Sequence, residues 1–283
     1  MLSFFIETYG CQMNVADSSE IQELLLKASW KEAKTPLQAS LAIINTCSVR
    51  KTAEERVLGR LGYYKWLKTQ NPSLKLAIMG CFAQKEQENL KKTFPVVDFV
   101  IGTRNRQAFY SILENWNAKP SLSLKNSIYT SMENHFDLLP FSPEQDYPHR
   151  ALISIIKGCN NFCTYCIVPY TRGREISLES SYILKEIEKL MQKGVKEVFL
   201  LGQNVNSYGN DNKDISFSQL LTKINAIKGI ERIKFMTSHP KDLSDELIDA
   251  IIHLPKLSKH LHLPLQSGSN KILSLMNRKY TYE

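Results

Sequence analysis

The chain has 283 residues, long enough for two domains, and 43% of them are hydrophobic, so a sizeable core is available. No apolar run approaches the roughly 18 residues of a membrane span, and the opening "MLSFFIETYG" lacks the basic start and small-residue cleavage site of a signal peptide; the chain reads as cytoplasmic. The net charge of +8, from 36 Lys and Arg against 28 Asp and Glu, is compatible with a polyanionic partner but specifies none.

In chain order, "LSFFIETYG" reads as a strand ending just before Cys11, and Ile21, Leu24 and Leu25 mark a helix after it. "LAIINTC" is a second strand, ending at Cys47, followed by a helix carrying Val57, Leu58, Leu61 and Tyr64. "LKLAIMG" is a third strand, ending just before Cys81. "VDFVIG" is a fourth, ahead of a helix from about Arg104 to Trp116. This alternation predicts an α/β domain over residues 1–117, a doubly wound parallel sheet. Residues 118–148 are polar and rich in Pro and Ser, and read as a linker.

A second β/α series begins at residue 149. "ALISIIKG" is a buried strand, and Ile183, Leu184, Ile187, Leu190 and Met191 form one face of a helix that Gly194 stops. "VKEVFLLGQN" is a strand ending at Gly202, and "FSQLLTKINAI" an amphipathic helix. "RIKFMTS" is a third strand, "DLSDELIDAIIHL" a third helix, and "KHLHLPLQSGS" a fourth strand with its loop. Strict alternation implies a parallel sheet. Active residues gather at the C-terminal ends of such strands, here the Gly158–Tyr170 loop, Gly202-Gln203-Asn204, Thr237-Ser238-His239 and Gln266-Ser267-Gly268.

The six cysteines fall into two sets. In "KGCNNFCTYCIVPY", Cys159, Cys163 and Cys166 follow a C-x3-C-x2-C spacing on one tight loop. With no sign of an oxidising compartment, ligation is a better reading than disulfides. Structural zinc is one option, but it takes four ligands, usually as two pairs. A 4Fe–4S cluster is the other; three local cysteines would leave one of its irons open for a substrate or cofactor. Cys11, Cys47 and Cys81 are far apart in sequence, yet each sits at a strand's C-terminal end. Parallel strands end on one edge, so these three converge as a second set of three ligands.

The C-x3-C-x2-C loop after a first barrel strand resembles that of the radical S-adenosylmethionine enzymes. The resemblance implies a partial β/α barrel and a 4Fe–4S cluster on Cys159, Cys163 and Cys166 whose open iron chelates S-adenosylmethionine. Reductive cleavage of that cofactor gives a 5′-deoxyadenosyl radical able to attack unactivated C–H bonds. The family pattern places Tyr165 near the adenine and Gly202, Gln203 and Asn204 near the cofactor's amino group. The same resemblance places Ser238 and Gln266, on later strand ends, facing that cavity. No catalytic side chain beyond the cluster ligands is implied.

"ETYGCQMNVADSSE", "NTCSVRKTAEERVLGRL" and "IMGCFAQ", with "VPYTRGREIS" after the cysteine loop, resemble the methylthiotransferase family across both domains. "YGCQMN" and "NTCSVRKTAEERV" are similar to the branch that modifies tRNA carrying N6-isopentenyladenosine beside the anticodon. The branches acting on threonylcarbamoyl-adenosine in tRNA or on a ribosomal protein show other patterns at these places. The resemblance implies a second 4Fe–4S cluster on Cys11, Cys47 and Cys81 that supplies sulfur. A methylthio group then couples at C2 of the adenine, a base that must be unstacked to react. It also implies an electron donor, a sulfur source and a monomeric enzyme.

Two readings of "VRKTAEERVLGRLGYYKWLK" stand side by side: an RNA-facing helix, or a solvated face with a buried aromatic stripe. Arg172 and Arg174 meet phosphate or support the cysteine loop. Family members continue past "NRKYTYE" into further barrel strands and an RNA-binding β-barrel, so the radical domain over 149–283 is expected to be incomplete, with an exposed strand edge near "LHLPLQ". A non-catalytic iron–sulfur electron carrier and an RNA-binding module with zinc sites are the alternatives from other classes.

Overall fold

The computed structural model describes residues 2–48, 51–118, 128–132, 141–144 and 147–283. The chain divides into two units, residues 1–139 and 140–283.

In the first unit the elements run β1 (Ser3–Tyr9), α1 (Gln12–Lys27), β2 (Lys31–Glu32), β3 (Leu41–Thr46), α2 (Lys51–Gln70), β4 (Lys75–Gly80), α3 (Cys81–Glu86), α4 (Glu88–Thr93), β5 (Phe99–Ile101), α5 (Ala108–Ala118) and β6 (Ile128–Tyr129). The strands form one parallel sheet in the order β2-β1-β3-β4-β5-β6. β3 is buried along its whole length, which explains its unbroken apolar run. Its side chains alternate between two cores. Leu41 and Ile43 pack with Ile21, Leu24 and Leu25 of α1 and Phe109 and Ile112 of α5. Ala42 and Ile44 pack with Val57, Leu61 and Tyr64 of α2 and Leu90 of α4. Helices therefore cover both faces, as the doubly wound reading requires. The strand order switches direction between β1 and β3, and in open α/β sheets ligands bind beyond the carboxyl ends of the strands at that point.

The details depart from expectation in three places. Leu58 is exposed rather than part of the buried stripe of α2. α5 starts at Ala108, not near Arg104. The residues before it turn inward instead: Thr103, Arg104 and Arg106 are buried, and Arg106 pairs with Asp17 and Glu20 of α1. Within the stretch read as a linker, Ile128 and Tyr129 pair with Val100 and Ile101 as β6; the rest of it lies largely outside the described residues.

The second unit runs β7 (Arg150–Ser154), β8 (Ile156–Lys157), α6 (Val168–Arg172), β9 (Ile176–Ser177), α7 (Ser180–Gln192), β10 (Glu197–Leu201), α8 (Phe217–Ala226), β11 (Arg232–Phe235), α9 (Asp245–His253) and α10 (Asn270–Leu275). β11-β10-β7 form a parallel sheet, with helical crossovers between the strands. α8 opens on a capping box between Ser216 and Gln219, and α9 on the Ser244 side chain, which accepts from the Leu247 N–H. α7 ends at Gly194, whose φ of +86° needs no Cβ.

The fourth strand expected at "KHLHLPLQSGS" does not form. Pairing with β11 is limited to a single bridge between Ile233 and Leu257, and the Ser258 N–H donates to the Ile233 carbonyl at 2.9 Å. Beyond it Pro264 removes a donor from the ladder, and Leu265 is exposed. No helix among the described residues is long and apolar enough to cross a membrane.

The buried ion triad is a test of the first unit. Replacing Arg106 by Leu leaves two buried carboxylates without this guanidinium, at a cost of about 3–5 kcal/mol. All three tryptophans, Trp30, Trp66 and Trp116, lie in this unit. Urea unfolding followed by tryptophan fluorescence is expected to show a markedly lower midpoint for Arg106→Leu; an unchanged midpoint contradicts the role given to the triad.

Candidate metal centres

The loop carrying Cys159, Cys163 and Cys166 is closed by an antiparallel ladder that the sequence pattern did not reveal: β8 pairs with β9, Ile156 opposite Ser177 and Lys157 opposite Ile176. Gly158 follows with φ +81°, and a Cβ there would lie 2.0 Å from the Arg174 carbonyl oxygen. The Gly158 N–H donates to Gln203 Oε1 at 2.6 Å, which pins the loop to the end of β10. The Cys159 N–H donates to the Gly173 carbonyl at 3.0 Å. Asn160 and Glu175 bond reciprocally: Glu175 Oε1 accepts from the Asn160 N–H, and Asn160 Oδ1 from the Glu175 N–H. Phe162 holds a left-handed φ of +49°, with the Arg174 guanidinium 4.3 Å from its ring centre.

Cys159 and Cys163 are buried and Cys166 is half-buried. Burial pushes the Cys159 thiol up to about 11, helped by the Cys163 and Cys166 sulfurs, and it also pushes the Cys166 thiol up. Three cysteines on one braced loop, two of them buried, suit a thiophilic metal cluster.

In the first unit, Cys11 precedes α1, Cys47 follows β3 and Cys81 opens α3. The ladder aligns Thr46 with Tyr9 on one side and with Gly80 on the other. The three cysteines thus lie within one or two residues of a single row at the sheet's C-terminal edge. Beneath them, Asn14 Nδ2 donates to Asn45 Oδ1 at 2.8 Å and to the Thr46 carbonyl at 3.3 Å, and Asn45 Nδ2 donates to the Asn14 carbonyl at 2.8 Å. The Cys11 thiol donates to Asn14 Oδ1 at 3.3 Å. Gly10 and Gly80 leave the room this network fills: a Cβ on Gly10 would lie 2.5 Å from Asn14 Oδ1 and 2.9 Å from Cys47 Cβ. On Gly80 it would lie 2.5 Å from the Thr46 carbonyl oxygen. None of the six cysteines is in a disulfide. The backbone brings the positions together; among the described residues, in this set or in the loop of the second unit, no three His, Cys, Asp or Glu side chains form a metal-holding group as they stand.

The other expected cofactor contacts divide. Gly202 has no room for a side chain, since a Cβ would lie 2.3 Å from Ile156 Cγ2. Gln203 uses its carbonyl oxygen on the cysteine loop. Asn204 is buried and donates to Asp242 at 2.7 Å, leaving its Oδ1 without a partner. Ser238 is buried with its hydroxyl unpartnered. Buried polar atoms left over in this way are open to a polar ligand. Tyr165 is 52% exposed. Gln266 is exposed, with φ +68°.

Sequence reasoning missed two residues of this edge. His239 is buried, and its Nδ1 accepts from the Lys241 N–H at 3.2 Å, so its proton sits on Nε2, which has no partner. Burial and the Arg278 charge pull its pKa down to about 4. Arg278 is buried against Cys163 and Tyr165. His239 lay inside a flagged strand-end triplet; Arg278 carried no local signal. Of the two arginines after the loop, Arg172 is buried and Arg174 covers Phe162. On α2, Tyr64 is buried whereas Tyr63 and Trp66 are exposed and stacked at 5.8 Å, with Arg60 4.2 Å from the Tyr63 ring centre; Arg50 lies outside the described residues.

Residues 3–102 match an uncharacterized protein family, UPF0004, and residues 153–283 match the radical SAM superfamily. A protein of Thermoanaerobacter pseudethanolicus named tRNA-2-methylthio-N(6)-dimethylallyladenosine synthase is 51% identical over 285 residues, covering all of this chain and 60% of the relative. One of the same name from Clostridium perfringens is 48% identical, covering 99% of this chain and 62% of the relative. The chain thus spans about three fifths of the length of these curated relatives. Among solved structures, a radical S-adenosylmethionine methyltransferase from Kitasatospora setae matches with a TM-score of 0.70 at 11% identity, covering the whole chain and 63% of that protein. A cobalamin-dependent S-adenosylmethionine radical enzyme matches at 0.66 and 13% identity, over 46% of its length. At these identities the structural likeness speaks for fold alone.

The raised thiol pKa values carry a sign. A sulfur must lose its proton to ligate a metal, so any iron held by Cys159 and Cys166 would compete with protons there. Iron retention against a fixed chelator is expected to strengthen steadily from about pH 6.5 to 8.5, below the thiol range. A flat profile contradicts ligation by these two thiols.

Proposed function

We propose that this chain, a member of the radical S-adenosylmethionine methylthiotransferase family, carries both cluster sites of an enzyme that places a methylthio group on C2 of N6-isopentenyladenosine beside the anticodon of tRNA. The observation that carries this reading is the pairing of two three-cysteine sets, one along the C-terminal edge of the first unit's parallel sheet and the other on a single loop behind the antiparallel β8–β9 ladder, pinned to the end of β10. Three protein ligands per set leave a fourth cluster position for chemistry rather than for structure.

Cys159, Cys163 and Cys166 would hold one 4Fe–4S cluster and Cys11, Cys47 and Cys81 a second. Bound at the first set together with S-adenosylmethionine, such a cluster supplies a low-potential electron and, through the cofactor, hydrogen abstraction from an unactivated C–H bond. The chain's own residues prepare for this. The contacts of Gly158 with Gln203 and of Asn160 with Glu175 hold the cysteine loop before any metal arrives. Asn204 Oδ1, the Ser238 hydroxyl and His239 Nε2–H offer one acceptor, one dual group and one neutral donor to the polar parts of the cofactor. With its pKa near 4, His239 stays neutral at physiological pH and so adds no charge beside a sulfonium.

At the second set, the Asn14–Asn45 pair ties the first turn of α1 to the end of β3, beneath the strand ends that carry Cys11, Cys47 and Cys81. That set would deliver the sulfur, supplied from outside, and a separate reductant would supply electrons. Tyr63 and Trp66 offer flat exposed faces on which an unstacked base can lie, with Arg60 beside them.

The test separates the two sets in a chain extended to the length of its relatives. Cys163→Ala is expected to abolish both 5′-deoxyadenosine release and methylthiolated tRNA. Cys81→Ala is expected to keep 5′-deoxyadenosine release under reduction and to yield no methylthiolated tRNA by mass spectrometry of nucleosides. Methylthiolated product from Cys81→Ala, or loss of 5′-deoxyadenosine while the first set keeps its iron, would sink the division of labour.

A further inference from the structure

Four consecutive residues from the far end of the second unit brace the cysteine loop. The Thr164 hydroxyl donates to the Leu275 carbonyl at 3.2 Å, and the Thr164 N–H donates to the Met276 carbonyl at 3.2 Å. Asn277, at a left-handed φ of +55°, donates through Nδ2 to the Asn161 and Phe162 carbonyls at 3.2 and 2.9 Å. Arg278 then enters the loop itself. Its Nη1 donates to Cys163 Sγ at 3.4 Å and to the Tyr165 hydroxyl at 3.3 Å, and its Nη2 donates to the Pro264 carbonyl at 2.8 Å. The Tyr280 ring lies 5.4 Å from the guanidinium carbon. Arg278 is only 5% exposed, and its Nε–H has no partner.

A buried guanidinium is costly unless its charge is used. The first three braces act on loop backbone and on the Thr164 hydroxyl, and would serve to hold the loop's shape. Arg278 alone among them reaches a sulfur. A hydrogen bond to a ligating sulfur and a nearby positive charge both stabilise the more negative, reduced state of an iron–sulfur cluster, and so raise its reduction potential. The low dielectric around a buried arginine enlarges the effect. Lysine is no equivalent: its single ammonium cannot reach Cys163, Tyr165 and Pro264 together as the planar fork does.

We propose that Arg278 is a positioning residue for the radical-generating site: it holds the Cys163 sulfur and sets the reduction potential of the cluster bound there, while Asn277 fixes only the loop. The inference rests on Cys163 being a cluster ligand, and that is separable: a cluster that survives Cys163→Ala unaltered refutes the ligand assignment itself.

The readout is the one-electron midpoint potential, measured by redox titration with electron paramagnetic resonance. It is made on the chain with Cys11, Cys47 and Cys81 replaced by Ala, so that a single cluster reports. Arg278→Met keeps the length and removes the charge and the donors. Its cluster is expected to be at least tenfold harder to reduce, a potential more negative by at least about 59 mV for a one-electron couple. Arg278→Lys is expected to fall between Met and the parent, and Asn277→Ala to lower cluster occupancy with the potential of the remaining cluster unmoved. If Arg278→Met does not hold its cluster, Arg278→Gln, neutral but with an amide donor, is read instead, with a shift in the same direction. An unmoved potential in the neutral variant overturns the proposal. So does an equal shift in Asn277→Ala, which would assign the effect to loop shape rather than to the guanidinium.

Discussion

Parallel strand pairing is the constraint on which the convergence of Cys11, Cys47 and Cys81 depends. Every strand of a parallel sheet delivers its C-terminal end to the same edge, and the register decides which residues arrive there side by side. In the first unit the ladder sets Tyr9, Thr46 and Gly80 in one row. Cysteines 36 and 34 positions apart in the chain become neighbours as a result, one or two residues beyond that row. A one-residue slip of β3 would turn Cys47 to the other face and exchange its two apolar faces. The two cores on either side, built from alternate residues of the same strand, resist that slip.

The second constraint is polar. The strand ends carry asparagines where a core would ordinarily carry apolar side chains. Asn14 and Asn45 are fully buried and satisfy one another and the backbone around them. Such a network is stiff when complete and costly when broken. It ties the first turn of α1 to the end of β3, and Gly10 and Gly80 are required because a Cβ at either would invade it. The second unit reaches the same end by another route. There the cysteines share one loop, and the work lies in stiffening it: the β8–β9 ladder below, Gln203 from β10, Glu175 across, and the 275–278 segment from outside. In both units hydrogen bonds hold the backbone that carries the cysteines.

Much of this was legible in the sequence. The β/α alternation, both cysteine sets, their strand-end positions and the stop at Gly194 follow from apolar periodicity and from glycine. What escaped detection had no local signature. The start of α5 is set by the ion pairing of Arg106 with α1, a contact across 86 and 89 positions. The two-residue strands β8 and β9 are too short for a period. The apolar run at "LHLPLQ" has the composition of a strand, but β11 offers it one bridge and Pro264 interrupts it. Gln203 was legible as a strand-end residue, yet its carbonyl oxygen is engaged by the cysteine loop. Arg278 lies 115 residues from Cys163, in a stretch with no pattern of its own.

The claim that the two cysteine sets are separate three-ligand cluster sites is tested most directly by counting metal. After anaerobic reconstitution, iron and sulfide are measured in the parent chain, in Cys11/Cys47/Cys81→Ala and in Cys159/Cys163/Cys166→Ala. The account predicts about eight irons per chain in the parent and about four in each variant, with matching sulfide. Four in the parent, zinc in place of iron, or loss of all iron in either variant would contradict it.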